Sequence, residues 1–203
     1  MLTLHRAALL LPAVPSTSTA PPLTDGAVLV RGDRIAALGG YAELAAAHPD
    51  ARRREWPAAR LTPGLAQPRG ALLLEHRYHP DPREELGADP LPLPSGGVPE
   101  AHYGGLGGSA RRGLQRMLAH GTTALAGPFE HPAVRAAVAR SGLRPLAPGA
   151  APEDGLGPAD GGFAGVPYGS LVVGERADFA IFEQPGGACL GTVLAGRLLH
   201  RRR

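Results

Sequence analysis

The sequence has 203 residues, 43% of them hydrophobic, with 29 Gly and 22 Pro making about a quarter of the chain. That mixture supports one core, or one core and a small second, joined by much loop. All 21 basic residues are Arg and none is Lys, which excludes a Schiff-base lysine and a carbamylated bridging lysine. The single cysteine excludes an internal disulfide framework and a cysteine zinc ribbon, while a formal charge of +3 with only 4% aromatic residues argues against nucleic acid as a partner.

In chain order, Leu2 to Leu11 reads as a first β-strand, followed by a Pro/Ser/Thr loop to Pro22. The same residues have the outline of a signal peptide, but the apolar run is short and Pro12 interrupts it. The strand reading therefore places the protein in the cytoplasm. No apolar run approaches the ~20 residues of a spanning helix, so no membrane association is expected. Gly26 to Arg31 and Arg34 to Leu38 are strands around a Gly32-Asp33 turn, where Gly supplies positive φ and Asp tolerates it. Tyr41 to Ala47 is a short helix, and Arg52 to Trp56 a further short strand.

The middle of the chain changes period. Ala71 to Leu74 is a continuous apolar run, the pattern of a strand buried on both faces. Residues 80–108 form a long Pro/Gly-rich connection, and Ser109 caps a helix with Ala110, Leu114, Met117 and Leu118 on one face. Thr122 to Ala126 is a strand, Pro132 opens a helix that ends at Ser141-Gly142, and Leu143 to Leu146 is the next strand. A second loop fills 148–162. Strands then return at Ser170 to Val173, Asp178 to Phe182 and Thr192 to Leu199.

Several of these segments resemble the amidohydrolase superfamily, most closely its imidazolonepropionase-like and cytosine-deaminase-like branch. The run from Asp25 through Gly39 resembles the family's opening hairpin, and Leu61-Thr-Pro-Gly-Leu65 its entry into the first barrel strand. His120-Gly-Thr-Thr123 is similar to the segment before the second strand. Gly169 to Gly174 and Arg176 to Phe182 resemble the return to a small β domain, and Val193 to Leu199 its last strand. The resemblance implies a mixed α/β fold. A small composite β-sandwich domain is built from residues 1–64 and 166–203, and a truncated, partial TIM-barrel-like β/α insert spans 65–165.

The family's members are metal-dependent hydrolases of non-peptide C–N bonds, in which a bound Zn²⁺ or Fe²⁺ activates water. Their His-x-His motif follows Pro-Gly-Leu by a few residues. Here those two positions hold Arg69 and Ala71; a guanidinium cannot ligate a cation, and a methyl group has no donor atom. The insert of about a hundred residues is also far below the ~250 of a full eight-stranded barrel protein. Asp154 and Asp160 are the acids nearest to where the family's late aspartate would stand.

His76 and His79, three apart, have the spacing of a metal pair, but Pro80 and Pro82 disfavour a helix to present them. His120 fits a helix C-terminus, Cys189 a buried strand position, and Gly104 to Gly108 either a phosphate cradle or a hinge. Two functional readings follow. One is a degenerate amidohydrolase-like protein without metal chemistry or cofactor, acting as a binding or assembly partner, as a homodimer or beside a full-length relative. The other is an active hydrolase of a cyclic amide or heterocycle whose Zn or Fe site is rebuilt from His76, His79 and an acid, or completed by another subunit. An open three-stranded sheet leaves an unpaired edge, so dimerisation through it or docking of it on the β domain is expected.

Overall fold

A computed structural model describes residues 1–13, 21–147, 163, 165–185 and 187–202. The expected loop at 148–162, with Asp154 and Asp160, lies outside the described residues. The chain begins with β1 (Leu2–Leu10), β2 (Leu23–Arg31), β3 (Arg34–Gly40), α1 (Tyr41–Ala47), β4 (Arg52–Pro63) and β5 (Leu65–Gln67). It continues with α2 (Gly70–Glu75), β6 (Arg77–Tyr78), a 3₁₀ turn (Pro82–Glu84), β7 (Leu91–Pro92), α3 (Gly105–Ala119), β8 (Thr122–Ala126) and α4 (Pro132–Ser141). The last elements are β9 (Arg144–Leu146), β10 (Val166–Pro167), β11 (Phe179–Glu183), β12 (Cys189–Leu194) and β13 (Arg197–Arg201). The fold is mixed α/β, with two units: Met1–Leu65 with Pro167–Arg203, and Ala66–Val166.

The first unit is a seven-stranded sheet in the order β13-β12-β11-β4-β1-β2-β3. The long β4 joins the two termini: it pairs parallel with β1 from Thr3 opposite Arg52 to Leu10 opposite Leu61, and on its other edge its last part pairs antiparallel with β11, Ile181 opposite Leu61. The expected short strand at Arg52 to Trp56 is thus the first part of a 12-residue one, turned at Ala58, whose φ is +52°. The sandwich is one sheet closed on itself. Ile35 N donates to Glu175 O and Ala177 N to Asp33 O, both near 2.9 Å, tying β3 to the chain entering β11. Inside lie Val28, Val30, Ile35, Trp56, Phe179, Ile181 and Val193. The alternate residues Leu4, Ala27 and Leu29 face outward and are covered by α1 through Tyr41 and Leu44. Two covered faces explain why β2 is buried at five successive positions.

Two C-terminal expectations change. Ser170 makes only an isolated bridge to Ala13, not a strand, and the nearest strand before it is β10. Thr192 to Leu199 is a hairpin, β12 and β13, whose turn residues Ala195 and Gly196 both take positive φ, the geometry that matches strand twist.

The second unit carries strands in the order β10-β5-β8-β9, with β8 and β9 parallel on either side of α4 in sequence. Ala71 to Leu74 is not a strand but part of α2. Leucine and alanine favour helix and none of these residues is β-branched. Leu73 and Leu74 are buried while Leu72 is exposed, as a helical face requires. The α3 helix starts five residues earlier than expected, so Ser109 is a buried residue within its second turn rather than a cap. No helix among the described residues is long and apolar enough to cross a membrane.

Candidate functional site

In the second unit, β5 ends at Gln67, and Arg69 and Ala71 follow as the N-cap and a first-turn residue of α2. Gln67 is fully buried, and its Oε1 accepts from Arg69 N at 3.0 Å. Side chains two apart on a strand share a face, but two apart on a helix they point in divergent directions. The two family-motif positions therefore hold non-ligating residues on a backbone that does not aim them together.

The described residues of this unit gather a different set of side chains around His79, which is 1% exposed. Its backbone N donates to Ser109 Oγ at 2.9 Å, and its carbonyl accepts from Arg112 Nε at 2.8 Å. The ring Nε2 lies 2.7 Å from Leu73 O, so it must carry the proton, which leaves Nδ1 as an acceptor. Nδ1 is buried, with no hydrogen-bond partner among the described residues. Burial, with Arg116 and Arg112 adding to it and the Leu73 bond opposing, lowers the imidazole to about 4; the ring is neutral near pH 7. Phe163 is fully buried, with its ring 5.5 Å from that of His79 and stacked on His120 at 5.6 Å.

Arg112 and Arg116, one helical turn apart on α3, flank this cluster. The guanidinium of Arg116 lies 4.4 Å over the Phe163 ring. Arg112 also donates to Tyr103 O at 3.2 Å. Yet among the described residues Arg112 Nη2 and Arg116 Nη1 are buried with no hydrogen-bond partner. Other parts of the Arg112 and Arg116 side chains, with His79, Pro80, Pro82 and Gln115, line a cavity of about 630 Å³, within the usual range for small-molecule sites.

The 3₁₀ turn beside the cavity is held by its own acids. Asp81 grips Arg83 at 2.8 and 3.1 Å, and the bonds from the Arg83 side chain and backbone lower its carboxyl to about 2. Glu84 accepts from Tyr78 Oη at 2.7 and 2.8 Å and contacts His102 Nε2 at 2.6 Å. Burial opposes its ionisation, but these hydrogen bonds outweigh that and hold it below the usual carboxylate range.

Of the expected metal candidates, His76 is exposed at the C-cap of α2 while His79 is buried with Nε2 committed to Leu73 O. Glu75 is used by His131 N at 2.7 Å. Among the described residues no three His, Cys, Asp or Glu side chains gather as a metal site. Gly104 is the N-cap of α3 and Gly105 to Gly108 form its first turn, with Gly107 against Ala133 and Gly108 against the Tyr103 carbonyl. His120 sits at a helix C-cap as expected, its Nδ1 2.8 Å from Arg116 O. Cys189 is buried on β12, which raises its thiol. Sequence reasoning passed over Arg112 and Arg116. Their spacing on a helix with an apolar opposite face was the available signal, masked by a composition in which Arg is the only cationic residue besides His.

Comparison with known proteins places residues 26–51 in a family model described as the imidazolonepropionase-like composite domain of bacteria. No curated protein matches. Among solved structures, A. niger ochratoxinase is similar at 19% identity over 70% of this chain and 29% of that chain, TM-score 0.46. An adenosine deaminase from Xanthomonas campestris is 22% identical over 71% and 33%, TM-score 0.45. Guanine deaminase from Bradyrhizobium japonicum is 21% identical over 71% and 34%, TM-score 0.43. The chain spans about a third of the length of these structures.

Proposed function

We propose that this amidohydrolase-like chain, with its imidazolonepropionase-like composite-domain segment at residues 26–51, is a binding or assembly protein without metal-dependent hydrolysis. One observation carries the reading: Arg69 and Ala71 occupy the His-x-His positions, and they lie at the start of α2, past the end of β5. A permanent cation at the first ligand position repels a metal ion instead of holding it. The partner is a second copy of this chain or a full-length relative. Strand β9, at one end of the second unit's sheet order, supports this as a pairing edge. A cytoplasmic setting accords with the single free, buried Cys189.

Metal analysis of the purified protein tests the reading. A metal-free protein whose melting is unchanged by chelator agrees with it. Stoichiometric Zn or Fe that is lost in His76→Ala or His79→Ala overturns it in favour of a C–N hydrolase with a rebuilt or intersubunit site. Light scattering, alone and mixed with a full-length relative, reads the assembly half of the proposal; a monomer that binds neither counts against it.

A further inference from the structure

We infer that the open edge of β4 at Arg52 to Trp56 is a docking site for an acidic, extended peptide segment of a partner protein. That segment adds as a strand beside β4 and sets its carboxylates against Arg52, Arg54 and Arg201. The inference goes beyond the proposed function, because this surface lies wholly in the first unit and needs neither the β9 edge nor any statement about metal chemistry.

Three observations carry it. First, part of β4 has a strand neighbour on one side only. β1 runs along one edge from Arg52 to Leu61, whereas β11 covers the other edge only from Ala59 to Pro63. Among the described residues no strand or bridge pairs with that second edge over 52–57, and Arg52, Arg53, Glu55 and Pro57 are exposed. Unpaired N–H and C=O groups on a strand edge are a template for a further strand. Second, the edge is flanked by cations that have no acid of their own. Arg52, Arg54 and Trp56 alternate onto one face of β4, and Arg201 reaches over from β13, its guanidinium 5.8 Å from the Trp56 ring centroid. None of the three arginines is in an ion pair among the described residues. Glu55 points to the opposite face, where it meets Arg6 at 3.8 Å and Tyr41 at 3.4 Å. Burial first, and then the like charges of Arg52 and Arg201, hold the Arg54 guanidinium below its ordinary value. Incoming carboxylates turn that repulsion into attraction. Third, the charge selects the occupant. A second copy brought to the same edge would set arginine against arginine, which disfavours self-pairing, while an acidic strand meets no such barrier. Trp56, only 8% exposed, holds Arg201 over its ring face, so one cation is positioned before the partner arrives.

Fluorescence anisotropy with a dye-labelled Thr-Glu-Val-Glu-Val-Glu-Thr peptide, and with its counterpart carrying Gln for every Glu, tests the site. The acidic peptide is expected to bind 1:1 and at least tenfold more tightly than the glutamine peptide. Its affinity should fall steeply between 20 mM and 500 mM salt, because the cations are largely exposed. Arg52→Gln combined with Arg54→Gln should weaken binding at least tenfold. Arg111→Gln combined with Arg140→Gln, an equal change of charge on exposed helix surface, should leave it unchanged. Should the first double variant fail to fold, amide hydrogen exchange of the wild-type protein replaces it: the acidic peptide should slow exchange within residues 52–56 and leave α4 unaffected. Absence of saturable binding, equal binding of the glutamine peptide, unchanged affinity in a folded Arg52→Gln/Arg54→Gln variant, or slowing confined to other segments would each overturn the proposal. So would tighter binding of a thymidine oligonucleotide or of phosphatidylserine vesicles that is lost in the same variant, which would assign the edge to nucleic acid or to a membrane instead.

Discussion

Gly113 on α3 leaves the space that the His79 imidazole fills: a Cβ at residue 113 would stand 2.6 Å from Nε2 and 2.8 Å from both Cδ2 and a methyl of Leu74. Glycine inside a helix ordinarily costs about 1 kcal/mol relative to alanine, so on propensity alone Gly113→Ala should stabilise. Here overpacking opposes it, and neither neighbour can retreat freely. His79 is hydrogen-bonded to Leu73 O and Leu74 is fully buried. The expected net effect is a loss of about 1–2 kcal/mol, read as a lower urea midpoint for the second unit. A midpoint equal to or above wild type would show that His79 is not held where described.

The same imidazole makes stability depend on pH. Its folded value is about 4 against 6.5 for the free side chain, so between those values the unfolded chain binds a proton that the native chain does not. Stability is then full above pH 6.5 and falls as pH drops toward 4, by roughly 3 kcal/mol for a fully realised shift. His5, buried on β1 under Phe179 and lowered to about 3 by burial and then Arg54, acts in the same direction in the first unit. Urea unfolding at pH 7, 6, 5 and 4 measures the slope. His79→Gln should flatten the part belonging to the second unit, even if it lowers stability throughout.

What the sequence disclosed divides along physical lines. The Gly32-Asp33 hairpin was legible because turn residues act locally, and the union of both termini in one sheet followed from a family resemblance at the two ends. The assignment of Ala71 to Leu74 failed because a four-residue apolar run has no period; whether it becomes strand or helix was decided by the close approach of Gly70 to Ala126 O and by a face packed in the core. Ser109 was misplaced for a related reason, since the glycines ahead of it look like loop until Tyr103 and Ala133 pack against them. The His79 cluster was half visible. The residue was singled out, but its partners come from Leu73, Ser109, Arg112 and Phe163, and no sequence spacing links these.

A like-charge cluster marks one end of the first unit. The pairings of Thr3 with Arg52 and His5 with Arg54 place both arginines on the same face of the sheet, two apart on β4. Arg201 on β13 approaches over the Trp56 ring at 5.8 Å. Burial first, and then Arg52 and Arg201, pull the Arg54 guanidinium below its usual value. Arg52→Glu converts a repulsion into an attraction across neighbouring side chains and should add about 0.3–1 kcal/mol of stability. The gain should be present in 20 mM salt and mostly gone in 1 M salt, where screening is short-ranged. A gain insensitive to salt would mean that strand propensity, not charge, is responsible.

Placing histidines at residues 69 and 71 offers the sharpest contrast between residue identity and backbone placement. If side-chain identity alone decided whether this segment holds a metal, Arg69→His with Ala71→His should create half of a site. The backbone argues otherwise: β5 stops at Gln67, Arg69 adopts φ −96° and ψ 27° as the N-cap, and Ala71 lies in the first turn of α2. Imidazoles two apart across a helix start diverge, whereas a zinc ion needs nitrogens about 2.0–2.1 Å away and converging from one side. The double variant is therefore expected to bind Zn²⁺ no more tightly than the parent in competition with a chromogenic chelator, and to gain no C–N hydrolysis. Tight stoichiometric zinc in that variant would require the strand to extend through residue 71, and would show α2 to be a consequence of Arg69 and Ala71 rather than of Gly70 and the leucines that follow it.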